Sequence, residues 1–143
     1  MTIAQGATNA FKTGLMDGGY DLATGPFKIA LFTADASIGP DTAAYAPGMT
    51  GEVVGSGYTA GGETLTIAQV PTIGSQTGNA VSYMSFSNVS WTGAITARGA
   101  LIYDATSLAT VCVLDFGADK SSSTTFTIQF PAVTNSSAII RIG

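Results

Sequence analysis

Apolar and polar residues alternate along much of the chain from Phe27 onwards. The first clear example is formed by Phe27, Ile29 and Leu31, which alternate with Lys28 and Ala30. A period of two is typical of a β-strand that is buried on one face. The pattern therefore predicts that the first strand begins at Phe27.

The same reasoning predicts eight short strands, separated by residues that favour turns. They cover residues 27–31, 64–67, 82–86, 89–91, 97–103, 110–116, 124–130 and 138–142. The fifth becomes apolar on both faces, as expected of a central strand. Pro71 is expected to end pairing after the second strand, because proline cannot donate to a ladder. Strands of this length and spacing predict an all-β fold, a sandwich or barrel, and our prediction is a jelly-roll-like β-sandwich.

Two segments break the strand pattern. Near the N-terminus, Phe11 and Leu15 lie four residues apart with Gly18 and Gly19 just beyond, which predicts a short helix that ends at a glycine. Residues 1–19 are expected to form this docked helix or, alternatively, an arm that reaches a neighbouring molecule. Residues 34–51 combine many turn-forming residues with no periodicity, which predicts a long surface loop of the kind that often makes contacts.

The low content of charged residues says more about the protein than its length does. The 143 residues fit one β-sandwich domain, 1–143, and only 10% of them are charged, against about 25% in ordinary soluble domains. The surface is therefore expected to consist largely of threonine, serine, glycine and alanine, and much of it to be available for contact. A net charge of -4 gives no electrostatic attraction for nucleic acid or anionic lipid, so neither is an expected partner.

Candidate chemistry is sparse. The chain has no histidine, which removes the commonest general base and metal ligand and excludes Ser-His-Asp and Cys-His arrangements. Cys112 lies on the same face of its predicted strand as Leu114 and Phe116, which favours a small buried hydrophobe over a reactive thiol. The aspartates, among them Asp17 and Asp104, lie beside turn-forming residues, where their side chains cap turns. The sequence predicts no catalytic residue, metal site or cofactor, and hence no enzyme.

Localisation is predicted from two observations. No basic stretch precedes a long apolar core near the start, and no window is long and apolar enough to cross a membrane as a helix. One cysteine cannot form an internal disulfide, which agrees with synthesis and folding in a cytoplasm.

Four residues are candidate interface anchors: Tyr45, Met49, Tyr58 and Trp91. Aromatic residues and methionine are enriched at protein interfaces, which is the reason for choosing them. Packing in the core is the alternative, and it is favoured for Trp91, which lies in a predicted strand. Tyr45 and Met49 belong to the long loop, where contact and core are evenly balanced.

Several segments resemble small virion proteins of tailed bacteriophages. They are residues 27–33, the glycine-rich segment 51–62, the sequence Leu114-Asp115-Phe116-Gly117, the strand 124–131 and the ending 138–143. The resemblance implies a capsid cement, or decoration, protein on the outside of an icosahedral head, where many copies would clamp neighbouring major capsid subunits. It implies no catalytic residues. The partner would be the major capsid protein, the location the virion, and the source of the chain the cytoplasm of a host bacterium.

Two further expectations accompany this one. Free copies are expected to form dimers or trimers, since closed symmetry is the usual arrangement of homo-oligomers. The alternative function is a tail or fibre component that binds a host-surface glycan, because exposed aromatic residues on a β-sandwich can stack on sugars. An enzyme is the third and most distant possibility.

Overall fold

The computed structural model describes residues 2–55, 57–74, 80–134 and 136–142. One helix and ten strands follow one another along the chain. They are β1 (Gly6–Ala7), α1 (Asn9–Asp17), β2 (Phe27–Phe32), β3 (Glu63–Leu65), β4 (Ile67–Ile73), β5 (Ser82–Phe86), β6 (Val89–Thr92), β7 (Thr96–Asp104), β8 (Thr110–Ser121), β9 (Thr125–Ile128) and β10 (Ile140–Ile142). The prediction of an all-β sandwich with a short N-terminal helix is confirmed.

The first layer is a five-stranded antiparallel sheet in the order β1-β8-β7-β2-β3. The strand β7 lies at its centre and pairs with β2 on one side and β8 on the other. Every residue of β7 from Gly99 to Asp104 is buried, as the apolar character of both its faces predicts.

The second layer combines a three-stranded sheet, β10-β5-β4, with a two-stranded sheet, β6-β9. Only Ser87 and Asn88 separate β5 from β6, so these two strands form one nearly continuous run. Antiparallel pairing places Ile140 opposite Met84 and Ile128 opposite Val89. The strands β9 and β10 therefore lie end to end along the same side of the β5–β6 run.

Two apolar clusters lie on the two faces of the first sheet. The larger lies between the sheets and includes Phe27, Ile29 and Leu31 from β2, with Phe86 and Trp91 from the second layer. The smaller lies on the outer face of the first sheet. It is formed by Ala30, Phe32, Ala36, Ile38, Tyr45, Leu101, Tyr103 and Val113. The loop from Thr33 to Gly51 therefore covers this second face.

The helix α1 is docked, so the alternative of a free N-terminal arm is not what the structure shows. Thr8 is fully buried and caps the helix by accepting a hydrogen bond from the Phe11 N–H, at 3.2 Å. Its hydroxyl also donates to the Thr110 carbonyl, 3.1 Å away. The helix ends at Gly18, whose φ of 78° is the left-handed conformation that glycine favours. The N-terminal strand β1 then pairs with Val113 and Cys112 of β8.

Two details of the sequence-based strand assignment are wrong. Pro71 does not end pairing but lies inside β4, where the register shifts between Gln69 and Thr72. A proline is tolerated there because β4 is an edge strand and the irregularity removes the need for its N–H. The strand predicted to end at Phe116 continues to Ser121 as β8, into residues that favour turns.

The continuation of β8 depends on a bulge. Asp115 lies opposite Gly99, and Lys120 lies opposite Ala97. The strand β8 therefore has more residues than β7 between these two pairs, which defines a bulge in β8. Gly117 lies in this bulge at a φ of 80° and donates its N–H to the Asp115 carboxylate, at 2.9 Å.

Candidate functional site

The inner face of β8 is an apolar surface that the sandwich leaves partly uncovered. The strand β1, which lies outside β8, pairs with only two of its residues. Cys112, Leu114 and Phe116 point towards the second layer but remain half-buried, because that layer does not extend over them. These three side chains form the floor of an open groove, which we call the β8 groove.

The walls of the β8 groove are also mainly apolar. Phe11, Leu15 and Met16 of α1 lie on one side, and Met16 is 85% exposed. The opposite wall is formed by Phe126, Ile128, Phe130, Ile139, Ile140 and Ile142. Two cavities of about 580 and 530 Å³ adjoin along the floor and share Gln5, Leu114 and Ile139.

The groove follows the open edge of the second layer. All residues from Thr125 to Pro131 line one cavity, and all from Ile139 to Ile142 line the other. Successive side chains of a strand point to opposite faces, so a cavity touched by every residue lies at the strand's edge. In the described residues β9 pairs only with β6 and β10 only with β5. Their remaining edges both face the groove.

Positive charge surrounds this apolar groove. The chain has five basic residues, and three of them, Lys12, Lys120 and Arg141, line the groove and are exposed. The ion pairs found among the described residues belong to Arg98, whose guanidinium lies 3.7 Å from Asp115 and 4.0 Å from Asp119. The chain is acidic overall, yet three of its five basic residues lie at the rim of this groove. Asp115, which also lines the groove, is paired with Arg98.

Three of the four candidate interface anchors are core residues: core packing was the favoured alternative for Trp91, whereas Tyr45 and Tyr58 correct the expectation of contact. Tyr58 and Trp91 are both buried, with ring centroids 6.2 Å apart, between the two layers. Tyr45 is buried on the outer face of the first sheet, stacked on Tyr103 at 4.5 Å. Large aromatic side chains are more often buried in the core of their own domain than exposed at its surface. Met49 is half-buried and packs against the same outer cluster.

Glu52 connects the long loop to the sheet. Its carboxylate accepts hydrogen bonds from the Tyr45 hydroxyl, at 2.8 Å, and from the Gly61 N–H, at 2.9 Å. The Tyr103 hydroxyl donates to the Gly61 carbonyl, at 2.6 Å. Burial and the bond to Glu52 raise the pKa of Tyr45 above its ordinary value, so this hydroxyl keeps the proton that it donates to more alkaline pH than a free tyrosine would.

Replacing Glu52 tests how firmly the loop is held. Glu52→Ala is expected to lower the free energy of unfolding by about 3 kcal/mol, because charge-assisted bonds are lost and the Tyr45 hydroxyl and Gly61 N–H lose their acceptor. Urea unfolding followed by fluorescence measures it. The exposed Glu63 provides the control, since Glu63→Ala should change stability by less than about 0.5 kcal/mol. Equal effects of the two substitutions would contradict the anchoring role.

The remaining candidates for chemistry take structural roles. Burial raises the pKa of the Cys112 thiol to about 12, which disfavours the thiolate. Asp17 accepts from the Gly19 N–H and Asp104 from the Thr106 N–H, as predicted for residues that cap turns. The described part of the chain holds no group of three or more histidine, cysteine, aspartate or glutamate residues arranged around a common centre. Within the same residues no helix is long and apolar enough to cross a membrane.

Fold and site together define an all-β sandwich with an open, positively rimmed apolar groove along one strand edge. Comparison of the chain with protein-family models, with curated proteins and with solved structures found no match.

Sequence reasoning identified the floor of the groove but not its exposure. The alternation of Cys112, Leu114 and Phe116 correctly places them on one face. Their incomplete burial depends on how far the second layer extends, and the periodicity of the sequence carries no information about that. The clustering of Lys12, Lys120 and Arg141 joins three distant segments of sequence, so it appears only after folding.

Proposed function

We propose that the protein is a structural virion component, a capsid decoration protein that binds major capsid subunits on the outside of a phage head. The observation that carries the proposal is the β8 groove, an apolar surface that the rest of the domain leaves uncovered. Exposed apolar surfaces that are rimmed by polar residues mark interaction sites. The resemblance to small virion proteins supplies the particle on which this interaction would take place.

The surface composition supports a role in assembly. Ten per cent charged residues means that few ions must be stripped of water when this surface is covered. A small block that is present in many copies and touches more than one subunit gains avidity even when each contact is weak. The decoration role therefore does not require a large individual interface.

The alternative, a tail or fibre component that binds a glycan, receives less support. Sugar binding on a β-sandwich would use exposed aromatic rings, but Trp91 and Tyr58 are buried. The half-exposed rings of Phe116 and Phe130 line the β8 groove, where aliphatic side chains surround them. These surroundings favour a protein segment over a sugar.

Reconstituting particles tests the proposed function. Heads of the phage that encodes this chain, prepared without it, are expected to bind the purified chain to a fixed saturating ratio and to release DNA at a higher temperature afterwards. Cosedimentation measures the first result and DNA release on heating the second. A reconstruction by electron cryomicroscopy should then show density over the outer shell that touches more than one subunit. Density confined to the tail would favour the fibre alternative, and unbound heads of unchanged stability would contradict the proposal.

A further inference from the structure

The second layer of the sandwich has fewer strand positions than the first and does not reach over β8. Its strands occupy three positions: β4 at one side, the β5–β6 run in the middle, and β9 with β10 at the other side. The first layer has five. The inner face of β8 consequently lies beneath an unoccupied strand position beside β9 and β10, which accounts for the incomplete burial of Cys112, Leu114 and Phe116.

We propose that an extended segment of a partner protein fills this position by pairing with the open edge of β9 and β10. The segment is apolar at alternate positions, which cover the floor of the β8 groove, and carries acidic residues at its ends. The inference deepens the proposed function and rests on it, since it names what the same groove binds. Addition of a strand to an open sheet edge is a common form of peptide recognition.

The open edge of the site favours a strand over a helix. Among the described residues β9 and β10 each pair on one side only, so a strand can bond to their free main-chain groups, whereas a helix satisfies its main-chain groups internally. The strands at this edge are short: β9 has four residues and β10 three, or about 13 and 10 Å at 3.2–3.4 Å per residue. Their outer backbone groups provide partners for main-chain hydrogen bonds in two short stretches.

The other edge of the same layer is protected. The strand β4 carries Pro71 and two shifts of register, both of which discourage further pairing. The strands β9 and β10 contain no proline and pair in regular register. The contrast indicates that only one of the two edges is left suitable for an additional strand.

Charge identifies the kind of segment. Lys12, Lys120 and Arg141 lie at the rim, so acidic residues flanking an apolar stretch complement it. A second copy bound across a two-fold axis would present the same patch to itself and bring these cations together. The groove therefore fits a different chain better than a symmetric partner.

The first experiment uses the isolated chain, labelled for NMR, and a synthetic peptide in which valine and threonine alternate between two pairs of aspartates. We expect saturable shifts of the amide signals of β9, β10 and Leu114, with a Kd on the order of 0.1–1 mM. The same peptide with lysines replacing the aspartates should bind at least about tenfold more weakly, and salt should reduce this difference. Equal binding of the two peptides would overturn the charge assignment, and absence of binding by both would overturn strand addition.

Two exposed isoleucines provide a matched pair of variants. Ile142 is 56% exposed on β10, and Ile73 is 70% exposed on the protected edge strand β4. Ile142→Asp is expected to weaken peptide binding at least about tenfold, whereas Ile73→Asp leaves it unchanged, and both should keep the wild-type melting temperature. If Ile73→Asp weakens binding as much as Ile142→Asp, the edge has been assigned wrongly.

Particles separate this inference from the proposed function. Heads should bind Ile73→Asp but not Ile142→Asp. A chain that binds the acidic peptide but no heads would refute the decoration role alone, whereas heads that bind both variants equally would refute the groove assignment alone. Sedimentation velocity adds a third outcome, because self-association that Ile142→Asp abolishes would identify a second copy as the occupant and overturn the proposal.

Discussion

Gly62→Ala is expected to lower the free energy of unfolding by about 4 kcal/mol. Gly62 has a φ of 78°, and a Cβ atom there would lie 1.8 Å from the Ile29 carbonyl oxygen and 2.8 Å from the Ala30 Cα. The left-handed conformation costs an alanine about 1–2 kcal/mol. The backbone of β2 must then move to relieve the overlap, which adds about 1–3 kcal/mol. Urea unfolding at neutral pH measures the total.

A substitution at Gly48 separates the cost of the left-handed backbone from the cost of the steric overlap. It has a similar φ of 82°, but a Cβ atom there would have no neighbour within 4 Å. Gly48→Ala should therefore cost only the conformational part, about 1–2 kcal/mol. If the two variants were equally stable, the close approach of Gly62 to β2 would contribute nothing, and our account of this corner would be wrong.

Alkaline pH is expected to destabilise the protein steeply. Burial raises the pKa of Tyr103 to about 12 and raises those of Tyr45 and Tyr58 further, against about 10 in an unfolded chain. Because the folded-state pKa is raised, the neutral hydroxyl stabilises the fold fully below pH 10. That contribution is lost as pH rises from there through the folded-state pKa, by about 1.4 kcal/mol per pH unit for each tyrosine. Cys112, raised from 9.0 to about 12, adds to the loss from about pH 9.

Urea midpoints measured between about pH 7 and 11 check this expectation, together with tyrosine absorbance. They should stay constant near neutral pH and fall increasingly above about pH 9–10. Tyr58→Phe also removes the hydroxyl that accepts from the Leu31 N–H, at 3.0 Å, so it should be less stable at every pH. Its midpoint should nevertheless fall less steeply at high pH, because one titrating group is absent. A midpoint that does not change up to pH 11 would show that the tyrosines ionise without unfolding the chain.

Local patterns predicted most of the strands, because alternation and turn-forming residues are properties of neighbouring positions. The helix was predictable for a similar reason, since the spacing of Phe11 and Leu15 and the glycine at its end are local signals. The strand β2 shows the limit. Ala30 was interpreted as part of an exposed face, yet it is fully buried because the long loop covers that side of the sheet.

The candidate site was less predictable than the fold. Tyr45 and Tyr58 belong to segments that read as surface, and their burial results from contacts with distant partners such as Tyr103 and Trp91. The β8 groove depends on a strand position that the second layer leaves unoccupied, and no residue signals an absent strand. Sequence patterns indicate which face of a strand is apolar, but coverage of that face is a property of the assembled layers.

The docking of the N-terminal segment has a consequence for how the chain reaches its native state. Thr8 and Thr110, which are joined by a hydrogen bond, lie 102 positions apart in sequence. The strand β8, which pairs with β1, is therefore synthesised about 100 residues after it. The five-stranded sheet cannot close before β8 is made, and pairing between such distant segments is typical of folding in milliseconds to seconds. Until then the apolar inner face of the first sheet remains exposed, so this is the stage at which the chain is most open to aggregation or to binding by chaperones.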